Sequence, residues 1–300
     1  MSQAVVSRST HLLGHPPRKR GKLREVWSRI RRDKAAIGGL IALALLGFVA
    51  IFANQIAPYG YDDQNIPMAL KAPAEMRQFP LGTDSLGRDM LSRLIYGARV
   101  SLLAGLSATG MATCFGMLLG GLAGFYGGKL DNAIMRLMDI LLAVPGILLA
   151  IAVAATLGPG LRNAVVAVGT AGVPIFARVV RGSILSVREM EYIEAARAIN
   201  ARDPRLMLKH VFPNVLAPVI VQFTLEVGHA IMEIAALSFL GLGAQPPIPE
   251  WGSMISSGRG YLRDYSYMMT LPGLGIATTV FSINLLGDGL RDALDPRLKH

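Results

Sequence analysis

The chain contains one cysteine, Cys114, among 300 residues, so no disulfide can form within it. Charge is scarce as well: Asp, Glu, Lys and Arg make up 17% of the residues, against about a quarter in an ordinary soluble domain. The five histidines (His11, His15, His210, His229 and His300) and the lone cysteine build no cluster with zinc spacing, so no metal site is expected. The Gly128-Lys129 pair fails the phosphate-loop pattern at both ends, because Ala123 stands where its first glycine belongs and Leu130 follows the lysine. The Gly-x-Ser-x-Gly elbow of serine hydrolases is missing too. No catalytic residues are therefore assigned, and the reading is of a membrane component rather than an enzyme.

Long apolar runs are what the chain does have. Hydrophobic residues account for 52% of it, and the mean hydropathy is +0.44. Ala35–Ala57 carries no charge over 23 residues, about 34 Å of helix and enough to cross a hydrocarbon core of about 30 Å. Val100–Gly128, Ile140–Leu161, Asn163–Val180 (with Arg178 near the interface), Val215–Ala244 and Met268–Leu286 complete six expected spans. The expected fold is an all-α polytopic membrane protein. Ala35–Ala57 is too long for a signal peptide and lacks a small-residue cleavage site at its far end. Cys114 falls mid-span and is read as a buried packing residue.

The net charge of +10 is not a nucleic-acid signal, because residues 1–34 hold ten Lys/Arg and two acids. A basic tail before a first span is an orientation signal that also contacts anionic lipid. Further Lys and Arg concentrate in 127–139, 178–213 and 289–300. Both termini are accordingly expected in the cytoplasm.

The expected organisation is a basic tail (1–34), a first span (35–57), an extracytoplasmic segment (58–99), a five-span block (100–288) and a C-terminal tail (289–300). Within the second span, Gly116, Gly120, Gly124 and Gly128 recur every four residues and place small residues on one helix face for close packing. Pro145, Pro174, Pro218 and Pro272 mark candidate bends in the later spans.

The polar stretch EYIEAARAINARDPRLMLKHVFP, Glu191–Pro213, interrupts this membrane pattern. It reads as two short helices. In the first, from about Val187 to Ile199, Tyr192, Ala195, Ala196 and Ile199 share one face, and Asn200 ends it. Asp203 then caps a second helix with Pro204 at its first position, and Pro213 closes that segment. Glu194-Ala195-Ala196, the turn at Asn200 and Pro213 resemble the EAA loop of ABC importer permeases. Asn200 stands where the family has glycine, and His210-Val211-Phe212-Pro213 replaces an aliphatic-x-Leu-Pro ending.

Three further segments narrow the resemblance: LGTDSLGRDMLSRLIYGARVSL (Leu81–Leu102), GLGAQPPIPEWGSM (Gly241–Met254) and GDGLRDALDPRLK (Gly287–Lys299). With the EAA loop they are similar to the C-type permease subunit of dipeptide, oligopeptide and nickel ABC importers, over everything but the basic tail. The resemblance implies a type I ABC importer five-helix core plus one N-terminal helix in the bacterial inner membrane. It implies pairing with a B-type permease, two cytoplasmic ATPase subunits that carry ATP and Mg, and an extracytoplasmic solute-binding protein. No cofactor is expected on this chain. Glu191, Glu194, Ala195, Ala196, Asn200, Asp203 and Pro213 would then couple it to the ATPases. Importers of nickel, glutathione or opines share the architecture.

Other polar residues remain to be placed. Glu226, His229 and Glu233, spaced by three and four, share one face of the fifth span. They line a translocation path, or pair with Arg178, Arg181 or the partner permease. An ion-coupled secondary transporter built on the same trio is the rival of another class. Asp84, Arg88 and Asp89 form a local salt-bridged cap or meet the binding protein. The proline-rich Gln245–Trp251 segment is an outer gate, a docking surface or a stiff connector. Asp288, Arg291, Asp292 and Asp295 are expected in a cytoplasmic turn.

Overall fold

The computed structural model describes residues 27–191, Ile193 and 203–294. Eight helices carry the described architecture: α1 (Lys34–Ile51), α2 (Met90–Tyr126), α3 (Gly128–Leu142), α4 (Gly146–Leu157), α5 (Leu161–Arg188), α6 (Phe212–Phe239), α7 (Trp251–Gly258) and α8 (Tyr267–Leu294). Helices α1, α2 and α5, the stretch Lys209–Phe239 that contains α6, and α8 are each long and apolar enough to cross a bilayer. Helices α3 and α4 are apolar enough to cross only as a pair, bent by 90°, and counting the pair as one span brings the total to six. Large apolar side chains on α1 (Ile41, Leu45, Phe48) and α2 (Leu103, Phe115, Leu118) remain exposed, as a lipid-facing surface requires.

The helices outrun the charge-free runs that announced them. Thirty-seven residues make α2 roughly 55 Å long at ~1.5 Å per residue, well beyond a hydrocarbon core of about 30 Å. Arg93 and Arg99 sit in its first turns because both are good helix formers once outside the lipid. Similarly, α5 takes in Val187 and Arg188, which the sequence pattern assigns to the loop helix, and Glu189 caps it. The C-terminal acids Asp288 and Asp292 lie in α8, which continues to Leu294 instead of turning, while Asp295 falls outside the described residues.

The third span departs most from expectation. From Gly128 on, the 127–139 stretch is helical rather than a connecting loop, because α3 is amphipathic and lays its charges along one side. The chain breaks at Ala143–Pro145, and Pro145 caps α4. Proline has no N–H and forces the preceding residue out of helical geometry, which is why the bend occurs here. Pro174, Pro218 and Pro272 instead lie inside α5, α6 and α8.

Close backbone approach holds the centre together. On α2, a Cβ at Gly116 would collide with the Cβ of Phe176, at Gly120 with the carbonyl of Ala177, and at Gly124 would lie 3.0 Å from Ile184 Cβ. Helix α5 reciprocates: a Cβ at Gly172 would lie 3.0 Å from Ala112 Cβ, and at Gly169 one would lie 3.0 Å from the Ala108 carbonyl. Gly128 does not continue the stripe; it faces open space at a positive φ of 61°, turning the chain into α3 with Gly127 at 68°. Cys114 lies on the exposed side of α2, so it is not the buried packing residue expected.

Around this pair, α4 adds Ala150 and Ala154, both fully buried, against Ala164 and Ala167 of α5. Helix α1 lies along α8, where Gly39 approaches the Ser282 carbonyl and Gly289 meets Ala36. At its other end α1 is gripped by Arg99, whose guanidinium donates to the carbonyls of Ala50 (2.6 Å) and Ile51 (2.8 Å) and to Asn54 Oδ1 (3.0 Å). A cation on the carbonyl end of a helix also meets its negative dipole terminus.

Replacing Gly120 by leucine drives a side chain into the α5 backbone. We expect a destabilisation of at least about 3 kcal/mol, the upper range for overpacked cores, and loss of monodisperse protein in detergent gel filtration. A well-behaved, normally stable Gly120→Leu protein would show that α2 and α5 do not meet at this surface.

Candidate coupling and translocation sites

The polar hairpin is described at both ends and not in the middle. Glu194, Ala195, Ala196 and Asn200 lie outside the described residues. Glu191 and Asp203 are exposed on either side. Asp203 opens a short helical turn, Asp203–Leu206, which runs through a π-helical turn, Met207–Val211, directly into α6. Pro213 therefore does not close a separate segment; it sits in the first turn of α6, where its missing N–H is tolerated.

What anchors this hairpin is apolar. Ile193, Leu206 and Val211 are fully buried, and they join Phe125 of α2, Val180, Ile184 and Val187 of α5 and Val215 and Val219 of α6 in one cluster. The sequence signal was present as Ile and Leu residues scattered among charges, but only the fold shows that they share a core. The described ends of the hairpin are therefore packed against three helices at once.

Alongside it, α3 is latched to α5 by two ion pairs. Arg181 holds Asp131 in a bidentate grip, Nε to Oδ1 at 2.5 Å and Nη2 to Oδ2 at 2.7 Å. Arg178 meets Asp139 at 2.8 Å, with both side chains more than half exposed. The second pair is a surface interaction of small worth; the first is half-buried and geometrically specific. These partnerships correct one alternative for the acidic trio, since Arg178 and Arg181 are engaged by α3 and not by α6.

Glu226 and Glu233 are half-buried on α6, and His229 between them is exposed. Gln222 donates to Glu226 Oε2 at 3.4 Å. A Cβ at Gly172 of α5 would lie 3.8 Å from Glu226 Oε1, and one at Gly146 of α4 would lie 3.5 Å from Glu233 Oε1. The trio therefore forms a polar strip along α6 beside two glycines that leave it room. Such groups in a span face a bundle interior or water.

At the opposite end of the bundle, Asp84 receives Arg88 Nε at 2.6 Å and lies 3.6 Å from Arg93 Nε. It also accepts the backbone N–H groups of Leu86 (2.9 Å) and Arg88 (3.0 Å). Asp89 caps α2 through the Ser92 N–H (2.8 Å) and hydroxyl (2.6 Å). Glu250 caps α7 by accepting the N–H groups of Gly252 and Ser253, each at 2.9 Å. Burial pushes the Glu250 carboxyl above its ordinary range, while those N–H groups and the Ser238 and Ser101 hydroxyls pull it back. Trp251 donates its indole N–H to the Leu94 carbonyl at 3.3 Å. Asp84, Arg88, Asp89 and Trp251 are thus all buried and engaged within the chain, whereas Gln245 is exposed and folds its amide onto the Gly241 and Gly243 carbonyls. Arg93 and Arg99 were not singled out from the sequence, because each acts through residues distant along the chain; Glu250 was missed although its signal, an acid directly before the α7 helix, is local.

Residues 116–300 match the family described as binding-protein-dependent transport system inner membrane component. The chain belongs to that family. Residues 21–73 match the N-terminal transmembrane domain of oligopeptide transport permease C, which places this permease in the C-type branch. It is 48% identical over 282 residues to a di/tripeptide transport system permease protein, DppC, of Pseudomonas aeruginosa, covering 93% of each chain. It is 46% identical over 290 residues to a glutathione transport system permease protein, GsiD, of Escherichia coli, covering 95% of this chain and 93% of that one. Among solved structures, an inward-facing MetNI methionine ABC transporter covers 69% of the permease and 98% of its own chain, with a TM-score of 0.56 at 21% identity. That likeness shows the type I ABC importer fold. The permease is a multi-pass inner-membrane transport subunit.

Truncating Leu206 to alanine leaves a cavity where the hairpin enters the core, at a typical cost of about 2–5 kcal/mol. Hydrogen exchange in 203–215 should accelerate while the centre of α2 stays protected. Unchanged exchange in 203–215 would mean that the hairpin is not held by this cluster.

Proposed function

We propose that this permease is one half of the translocation pathway of a peptide importer, and that ATP-driven closure of two cytoplasmic ATPase subunits reaches it through the 187–213 hairpin. The observation that supports the reading is the buried cluster of Ile193, Leu206 and Val211, which ties the described ends of this stretch to α2, α5 and α6. Glu194, Ala195 and Ala196 form the docking core, with Glu191, Asn200, Asp203 and Pro213 shaping it. ATP and Mg reside on the ATPases. A B-type permease completes the pathway, and an extracytoplasmic binding protein delivers solute to the face opposite the hairpin. The basic N-terminal tail supports a cytoplasmic position for both termini. Alternating access then follows from rocking of packed helices between two arrangements.

Di- and tripeptides are the substrates best supported, by the 48% identical relative. Glutathione is the second reading, supported by the 46% identical one. The decisive experiment reconstitutes both permeases with the ATPases in vesicles and supplies the binding protein outside. ATP-dependent uptake of labelled alanyl-alanine that needs every component is expected, and competition with glutathione ranks the two solutes. Uptake by this chain alone, driven by an ion gradient, would defeat the reading.

In the same vesicles, Ala196→Glu should leave basal ATP hydrolysis running while uptake falls by about a hundredfold, since a charged side chain cannot enter an apolar groove without a partner. Full coupling in that variant would remove Ala196 from the interface. The α6 strip of Glu226, His229 and Glu233 lines the pathway and meets the cationic end of the solute. Glu226→Gln should weaken kcat/KM about tenfold, the scale of one lost charge-assisted contact, with assembly intact; an unchanged value would assign the strip to structure.

A further inference from the structure

A cavity of about 180 Å³ opens between the start of α2, the end of α6 and α7, at the end of the bundle opposite the hairpin. Arg88, Arg93 and Arg259 line it. Arg88 and Arg93 are only 6% and 4% exposed, yet they share a single carboxylate, that of Asp84. Arg88 spends its Nε on Asp84, and its two Nη groups donate no hydrogen bond among the described residues. Arg93 places Nη1 on the carbonyls of Tyr61 (2.8 Å) and Pro247 (3.4 Å). Arg259 stands exposed at the rim, with no acidic partner among the described residues.

The neighbouring acids do not restore the balance. Asp62 acts on Arg93 from outside the cavity wall. Glu250 is turned towards the α7 N-terminus and Ser101. The wall serines are committed as well: Ser253 donates to the Glu250 carbonyl, Ser256 to that of Phe239 and Ser257 to that of Ser253. The donors left for a ligand are therefore guanidinium groups. Buried cations in excess over anions are costly unless an anion completes them, and a guanidinium fork matches a carboxylate in shape and charge.

We propose that this cavity is a carboxylate subsite that receives the C-terminal carboxylate of a peptide at the outer mouth of the pathway. The assignment rests on the peptide-importer reading for its ligand, and on the cavity's own charge for its chemistry. Arg88 supplies its two Nη donors from the wall, and Arg259 closes over the anion from the rim. The acids of the α6 strip lie further along the same helix, so the two ends of a zwitterion would meet opposite charges in succession.

The test uses the complete wild-type complex in lipid nanodiscs, without binding protein. Arginines are modified with phenylglyoxal and mapped by mass spectrometry in the presence of alanyl-alanine, alanyl-alanine amide, acetate or inorganic phosphate. Alanyl-alanine and acetate should slow modification of Arg259 about tenfold, the scale of a charge-assisted contact, and the amide should not. In sealed vesicles with the binding protein supplied outside, an Arg259→Gln complex, in which no buried group is altered, should raise the KM for alanyl-alanine uptake with kcat retained. Equal protection by the amide, protection by phosphate but not by the dipeptide, or an unchanged KM would each overturn the proposal. Wild-type uptake of alanyl-alanine in the same vesicles reports on the importer reading separately. Uptake without protection of Arg259 sinks the subsite alone.

Discussion

Everything in this bundle depends on two helix backbones coming close enough to touch. Lipid tails are as apolar as leucine, so helices in a bilayer gain nothing from hiding hydrophobic side chains against each other; packing contact and polar glue must do it instead. Helices α2 and α5 solve this with glycine on both sides, Gly116, Gly120 and Gly124 facing Phe176, Ala177 and Ile184, and Gly169 and Gly172 facing Ala108 and Ala112. Over that length the backbone surfaces themselves make the interface. A contact of this kind is bistable rather than compliant, because a sliding helix finds its next fit only after a discrete step.

The polar elements are arranged around that contact according to depth. At the hairpin end, the Asp131–Arg181 pair ties the amphipathic α3 to α5, and a buried apolar cluster ties the hairpin to three spans. At the other end, Asp84, Asp89 and Glu250 satisfy helix N-termini and an arginine pair. Between them, the α6 strip carries acids in the middle of a long, unbroken helix. Charge is thus placed at the two ends of the bundle and on one strip of α6 between them. This order is the one expected when a membrane chain keeps costly polar groups only for a purpose.

The positions of the spans were legible in the sequence because a stretch without charge long enough to cross a bilayer has few other destinations. Their lengths were not, since Arg93, Arg188 and Asp292 continue helices outside the lipid as readily as apolar residues do inside it. The third span was misread for the same reason: the charges of α3 look like a loop until Asp131 and Asp139 meet arginines of α5, some forty to fifty residues further on. The glycine stripe was legible as a pattern but not in its extent, because Gly128 serves a turn rather than a contact. Glu226, His229 and Glu233 lie within the single helix α6. The buried state of Asp84, Arg88 and Trp251 could not be read, as it depends on α7 folding back over the start of α2.

The grip of Arg99 on the last carbonyls of α1 has a consequence for how the helices move. At its opposite end α1 is seated against α8 through Gly39, Gly289 and Ala36. A helix laid along α8 and fastened at its far end to α2 cannot act as a freely swinging gate. It ties two core helices together, so that a rotation started in one is handed to the other. The extra N-terminal helix then works as a tie-rod of the frame, setting how far the two can part.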